Sequence, residues 1–213
     1  MRCDKKDLLL YGVTDRSWLG DRTLAQQVEA SLRGGATMIQ LREKHMDRGS
    51  ILAQALELRE LCGRYGVPLI LNDDAELAQA AGADGVHVGQ SDMEAGRVRA
   101  LLGEDKLIGV SARTGEQALA AQAAGADYLG VGAMFPTGTK QDTRPVSYDT
   151  LKAICAAVDI PVVAIGGIGA GNVAELAGSG IAGVAVVSAL YAQPDVEAAA
   201  RSLRAQVERV VGP

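Results

Sequence analysis

The chain has 213 residues, 48% of them hydrophobic and 22% charged, which suits an ordinary globular protein with one well-buried core. With 3% aromatics and a net charge of −5 it offers neither a stacking platform nor a basic face, which argues against nucleic acid as a partner. Three scattered cysteines, Cys3, Cys62 and Cys155, fit reduced thiols in a cytoplasmic protein better than a disulfide framework.

The opening stretch MRCDKKDLLLYGV is charged and has no apolar run of secretory-signal length. From there, short β-branched apolar runs alternate with Ala/Leu-rich segments of helical period. LLLYGVT (8–14) precedes a helical segment at 22–35, TMIQLRE (37–43) one at 48–66, PLILND (68–73) one at 74–82, and DGVHVG (84–89) one at 91–103. LIGVS (107–111) precedes 114–125, and DYLGVGA (127–133) precedes a polar loop and then 147–158. PVVAIGG (161–167) precedes 169–180, and AGVAVVSAL (182–190) precedes 194–211. Continuous apolar strands imply burial on both faces, hence a parallel sheet covered by helices. The longest uncharged run, Leu176 to Pro194, is broken by Gly178, Gly180 and Gly183 and diluted by Ser179 and Ser188. It reads as a turn and a buried strand, so no membrane partner is expected.

A Gly-Ala signature recurs where every second helix turns into a strand: GGATMIQ at Gly35, AGADGVHV at Gly82, AGADYLGV at Gly125 and SGIAGVAV at Gly180. Glycine there suits a helix C-cap leading straight into a strand. Eight units with a two-unit rhythm predict one (β/α)8 barrel domain over 1–213, with a doubly wound open sheet as the alternative.

In such a barrel the functional residues lie at the C-terminal strand ends. Strand 2 ends QLREK, where Gln40, Arg42 and Lys44 share one face at period two and point to an anion with a hydrogen-bonding head. Strand 3 ends LNDD, with Asn72 on the face of Ile70, and one of Asp73 and Asp74 is expected to cap the next helix. Asp92 follows strand 4, where it too could cap a helix. Two carboxylates beside cations, with no cysteine or histidine pair, suit Mg²⁺ rather than zinc. His87 is expected to be structural and, if Val86 and Val88 face the interior, to point toward the helices. Ser111 closes strand 5 with no histidine partner nearby in sequence, so it reads as a hydrogen-bonding group rather than a nucleophile. After strand 7, AIGGIGAGN lets backbone N–H groups approach an anion and leads into a helix N-terminus, and Val187 and Ser188 end strand 8. The loop GVGAMFPTGTKQDTRP lies between the two anion pockets in strand order.

These segments together (YGVTDR, IQLREK, LILNDD, GADGVHVGQSD, IGVSA, YLGVGAMFPTGTK, AIGGI and VVSAL) resemble the thiamine-phosphate synthase family over nearly the whole chain. The resemblance implies condensation of a pyrimidine diphosphate (HMP-PP) with a thiazole phosphate, with loss of pyrophosphate. It implies that Gln40, Leu41, Arg42, Glu43, Lys44, Asn72, Ser111 and Lys140 hold the pyrimidine diphosphate, with Lys140, Arg42, Lys44 and Ser111 carrying the catalysis. Asp73 and Asp92 would bind Mg²⁺. Thr137, Gly138, Thr139, Gly167, Val187 and Ser188 would hold the thiazole phosphate. The chain departs from the family at Val187, where relatives often have isoleucine, and at Arg113, where many read GVSAH. A thiazole tautomerase on the same scaffold tends to lack the complete diphosphate and metal set, so intact QLREK, NDD and GQSD count against it. A non-catalytic barrel that binds thiamine phosphates is the other alternative, and assembly as a homo-oligomer is left open.

Overall fold

The computed structural model describes residues 3–137 and 145–212. Eight parallel strands pair in chain order, and the last closes on the first. They are β1 Leu10–Val13, β2 Met38–Leu41, β3 Leu69–Asn72, β4 Gly85–Val88, β5 Leu107–Ala112, β6 Tyr128–Gly132, β7 Val162–Ile165 and β8 Gly183–Val186. The outer helices are α1 Leu24–Arg33, α2 Arg48–Tyr65, α3 Ala75–Ala81, α4 Ala95–Leu102, α5 Gly115–Ala123 and α6 Tyr148–Ala157. A short α7, Ser188–Tyr191, precedes the long closing helix α8, Val196–Val211. The predicted (β/α)8 barrel is therefore the observed architecture, with two local corrections. The helix expected at 169–180 is only a 3₁₀ turn, Val173–Leu176, because four glycines in twelve residues make a helix there too costly. The eighth strand stops at Val186, and Ser188 already belongs to α7.

Local chemistry explains the helix starts. Thr23 opens α1 with a capping box closed by Gln26, while Asp47, Thr114, Ser147 and Asp195 each accept a backbone N–H at a helix start. Asp74 caps α3 through the Leu77 N–H at 2.8 Å, so of the two aspartates after β3 it is Asp73 that is left for the mouth. Glu94, not Asp92, occupies the N-cap position of α4.

Strand side chains divide by parity. Ile39, Leu41, Leu71, Val86, Val88, Ile108, Val110, Val131 and Val184 face outward and are buried against the helices. Tyr11, Met38, Ile70, Leu107, Tyr128, Val163 and Ala185 fill the interior as a second apolar cluster. Burial pushes the Cys62 thiol up to about 12, which keeps it a protonated core group. Among the described residues no helix is long and apolar enough to cross a membrane.

The two-unit repeat has a hydrogen-bonding cause. Gly35, Gly82, Gly125 and Gly180 all have positive φ. After the first three, Ala36, Ala83 and Ala126 bond back to the helix as in a Schellman motif. The next residue then crosses to the preceding strand: Thr37, Asp84, Asp127 and Ala182 donate their N–H groups to Leu10, Leu69, Ile108 and Val162. Three of the four return a side-chain oxygen to the same strand, Thr37 to Leu10 N–H, Asp84 to Leu69 N–H and Asp127 to Ile108 N–H. Those three stitches each satisfy an amide near the start of a strand at the bottom of the barrel.

Arg99 reinforces the third stitch. It meets Asp127 at 2.6 Å, with side chains 14% and 12% exposed, and also donates to the carbonyls of Gly103, Lys106 and Gly125. Arg99→Ala leaves a mostly buried carboxylate and these carbonyls without their partner, so unfolding free energy should fall by about 3 kcal/mol. Urea denaturation measures this, and a loss below about 1 kcal/mol would place the bridge with ordinary surface pairs.

Candidate active site at the barrel mouth

A cavity of about 680 Å³ opens at the C-terminal strand ends. The β2 side is built by the loop after β1. Thr14 donates its N–H to the Gln40 carbonyl and accepts the Arg42 N–H at 3.0 Å, while Asp15 lies 4.0 Å from the Arg42 guanidinium. Gln40, Arg42 and Lys44 all line the cavity, as their shared parity requires. Leu41 and Glu43 do not, because their parity turns them outward. Leu41 packs into the helix-facing core, and Glu43 is held by Arg16 at 2.7 Å. Burial raises the Glu43 carboxyl above its usual range, and the neighbouring Arg16 opposes that rise. Their only route to a ligand in the cavity is the backbone.

The ends of β3 and β4 bring Asn72, Asp73 and Asp92 to the same cavity. Asp73 adopts a left-handed conformation, φ 66°, which aspartate tolerates better than most residues, and its N–H bonds the His87 carbonyl at 2.8 Å. Asp92 accepts the Gly89 N–H at 2.7 Å, which fixes its carboxylate in the turn after β4. Gln90 reaches across to the Ser111 carbonyl at 2.7 Å. Among the described residues no three or more His, Cys, Asp or Glu gather as a complete metal cage. Two carboxylates on adjacent strand ends can instead hold a hard divalent cation that takes its remaining oxygens from water and a phosphate ligand.

Beneath the mouth the polar chain differs from the sequence expectation. His87 does not face the helices. It lines the cavity, with Nδ1 3.1 Å from the Tyr128 hydroxyl and Nε2 2.9 Å from Ser111 Oγ. Val86 and Val88 face the helix layer instead, where β-branched bulk packs best. Ser111 thus has a histidine partner after all, one supplied by the neighbouring strand rather than by local sequence. Space for this pair comes from Gly109, where a Cβ would stand 2.1 Å from the Tyr128 ring and 2.5 Å from His87 Nδ1. Tyr128 in turn meets Tyr11, and Gln40 donates to Tyr11 at 2.7 Å. Sequence reading missed Tyr11 and Tyr128, although their inward parity relative to Val13 and Gly130 could have flagged them. It also left Arg113 without a role. Arg113 lines the cavity, with its N–H bound to Gln117.

The opposite wall comes from β6, β7 and β8. Met134 and Phe135 donate to the carbonyls of Ile165 and Gly166, and Val146 donates to Ala133, so both stems of the long β6–α6 loop are anchored at the mouth. Thr137, Gly167, Val187 and Ser188 line the cavity. Gly138, Thr139 and Lys140 lie outside the described residues. No full helix follows β7, so the expected helix-terminal charge is replaced by an open glycine turn. Asn172, a further residue missed from sequence, holds that turn by accepting from Gly169 N–H and donating to the Gly167 carbonyl, both at 2.9 Å.

Residues 10–190 match a family model described as thiamine monophosphate synthase. The chain belongs to that family. A thiamine-phosphate synthase of Ruminiclostridium cellulolyticum is 48% identical over 93% of this chain and 95% of its own length. One from Chloroflexus aurantiacus is 51% identical over 94% and 93%. A solved thiamine phosphate pyrophosphorylase of Pyrococcus furiosus superposes with a TM-score of 0.90 at 38% identity, covering 98% of this chain and 99% of that one.

In this thiamine monophosphate synthase relative, the close seating of the β6 stem on β7 depends on Gly167. Its φ is 69°, and a Cβ there would stand 2.6 Å from the carbonyl oxygens of both Phe135 and Pro136. Gly167→Ala should therefore cost about 2 kcal/mol from the strained backbone alone and displace the loop stem. Urea unfolding and a crystal structure of the variant check both, and an unmoved stem with wild-type stability would refute the constraint.

Proposed function

We propose that this barrel, acting as one catalytic domain over 1–213 in the cytoplasm, is a thiamine phosphate synthase. It joins 4-amino-2-methyl-5-(diphosphooxymethyl)pyrimidine to a thiazole phosphate and releases pyrophosphate. The observation that carries this reading is the 48–51% identity to thiamine-phosphate synthases over nearly the whole chain. The three free cysteines support the compartment.

The chemistry asks for little covalent help. The C–O bond to diphosphate breaks, leaving a cation spread over the electron-rich aminopyrimidine, and the thiazole nitrogen attacks that carbon. The protein must neutralise the leaving group and align two rings, and no nucleophilic side chain is required. Arg42 and Lys44 face the diphosphate, with Arg42 oriented through Thr14 and Asp15. Asn72 and Ser111 hydrogen-bond on the same side, and Gln40 holds the pyrimidine head from below. Thr137, Gly138, Thr139, Gly167, Val187 and Ser188 receive the thiazole phosphate, which places the second ring over the first. Asp73 and Asp92 would hold Mg²⁺, which would supply positive charge against the leaving diphosphate.

Incubating the purified chain with both substrates and Mg²⁺ should yield thiamine phosphate and pyrophosphate in equal amounts. EDTA should abolish the reaction, and excess Mg²⁺ should restore it. Failure to form product under these conditions refutes the assignment, and full activity in EDTA refutes the metal.

Lys140 gives a sharper test of the leaving-group role. Its contact with the diphosphate strengthens as negative charge accumulates, so it belongs more to the transition state than to the bound substrate. Lys140→Ala should lower kcat by about 2.7–4 kcal/mol in barrier terms, as for other preorganised electrostatic contacts. Lys140→Arg should restore only part of this, since a planar fork does not replace a point charge. A folded Lys140→Ala enzyme with wild-type kcat, where chemistry limits the rate, would remove Lys140 from the mechanism.

A further inference from the structure

Five side chains from five strands form one hydrogen-bonded line across the barrel: Gln40, Tyr11, Tyr128, His87 and Ser111. We infer that this line runs in a single direction, and that Tyr128 and His87 are positioning residues that turn the Ser111 hydroxyl hydrogen toward the departing diphosphate. The inference rests on the role proposed above for Ser111 and adds what sets that hydroxyl's orientation.

The direction follows from counting protons. Gln40 Nε2 donates to the Tyr11 oxygen at 2.7 Å. Tyr11 is 1% exposed, so its own proton needs a protein acceptor, and the Tyr128 oxygen stands 3.0 Å away. Tyr128 is fully buried and must also place a proton, which His87 Nδ1 accepts at 3.1 Å. Burial raises the ionisation of both phenols above its usual range, so each keeps the proton it must donate. An imidazole nitrogen that accepts carries no hydrogen, so the neutral ring holds its proton on Nε2. That N–H points at Ser111 Oγ, 2.9 Å away. A serine oxygen engaged in this way turns its single hydrogen elsewhere, and Ser111 lines the cavity.

The reverse direction fails at Tyr11. If His87 Nδ1–H donated to Tyr128, the Tyr128 hydrogen would go to Tyr11, its other hydrogen-bond partner among the described residues. Tyr11 would then accept from both Gln40 and Tyr128, and its own hydrogen would be left in a buried interior. Ser111 would also have to spend its hydrogen on His87 instead of on the ligand. In the forward direction every donor is used, and the last one faces the atom that gains charge as the C–O bond breaks.

Two measurements test this. The chain has only two histidines, so ¹⁵N-histidine NMR of the wild type, with His45→Gln for assignment, reads the His87 ring directly. A protonated Nε2 and an unprotonated Nδ1 are expected, and the opposite tautomer overturns the direction. A double-mutant cycle then asks whether Tyr128 acts through Ser111. Tyr128→Phe should lower kcat about 10- to 100-fold, as lost outer partners of a ligating group do. In a Ser111→Ala background it should add less than about twofold, the margin left to uncoupled sites. Effects that multiply in the double variant overturn the positioning role. If Tyr128→Phe fails to fold, Tyr11→Phe enters the cycle one link further back. A Ser111→Ala enzyme with wild-type kcat would sink the role of Ser111 itself, a result separate from the tautomer that the spectrum reports.

Discussion

A closed parallel barrel has one inside, and every second residue of every strand must enter it. That single constraint decides what can meet at the mouth of this protein. Outward positions are taken by branched aliphatic residues packed on the helices, so the inward positions near the top are left to polar side chains. Eight strand ends then deliver their groups to one cavity. Residues as far apart in sequence as Gln40 and Ser188 line the same cavity because closure brings β8 back to β1.

The two ends of the barrel divide the labour. At the bottom, the stitches from Thr37, Asp84 and Asp127 satisfy amides near the starts of β1, β3 and β5 and join neighbouring units. This end spends its polar groups on stability. At the top, comparable side chains project into open volume. Backbone groups there are held by residues with no place in the chemistry, such as Thr14 beside Arg42 and Asn172 within the β7 turn. Such supports let the ligand-facing groups keep a fixed geometry without being used up by it.

Charge follows the same division. The chain is acidic overall, yet Arg42, Lys44 and Arg113 all reach the cavity, so the local field there favours an anion. Asp73 and Asp92 line the same cavity, and the Gly89 N–H holds the Asp92 carboxylate in place. Among the described residues the opposite wall, lined by Thr137, Gly167, Val187 and Ser188, brings no carboxylate to the cavity.

Sequence alone determined the strand–helix alternation, the barrel, and the inward set of Gln40, Arg42 and Asn72. Each of these depends on periodicity, which is local: a period of two or 3.6 is written in neighbouring residues. The Gly-Ala repeat was legible for the same reason, since a C-cap and its next strand are contiguous. Only the tertiary structure decided the rest. The apolar neighbours of His87 suggested an inward-facing Val86 and Val88, but the helix layer takes them, and His87 turns in to meet Tyr128 from β6 and Ser111 from β5. Leu41 and Glu43 belong to the same motif, but their side chains turn away from the cavity, which leaves them the backbone as their contact with it. The helix expected at 169–180 looked adequate by composition, but glycines on both sides reduced it to the 3₁₀ turn Val173–Leu176. Contacts across the barrel join residues whose sequence separation carries no periodic signal, and they exist only because the sheet closes.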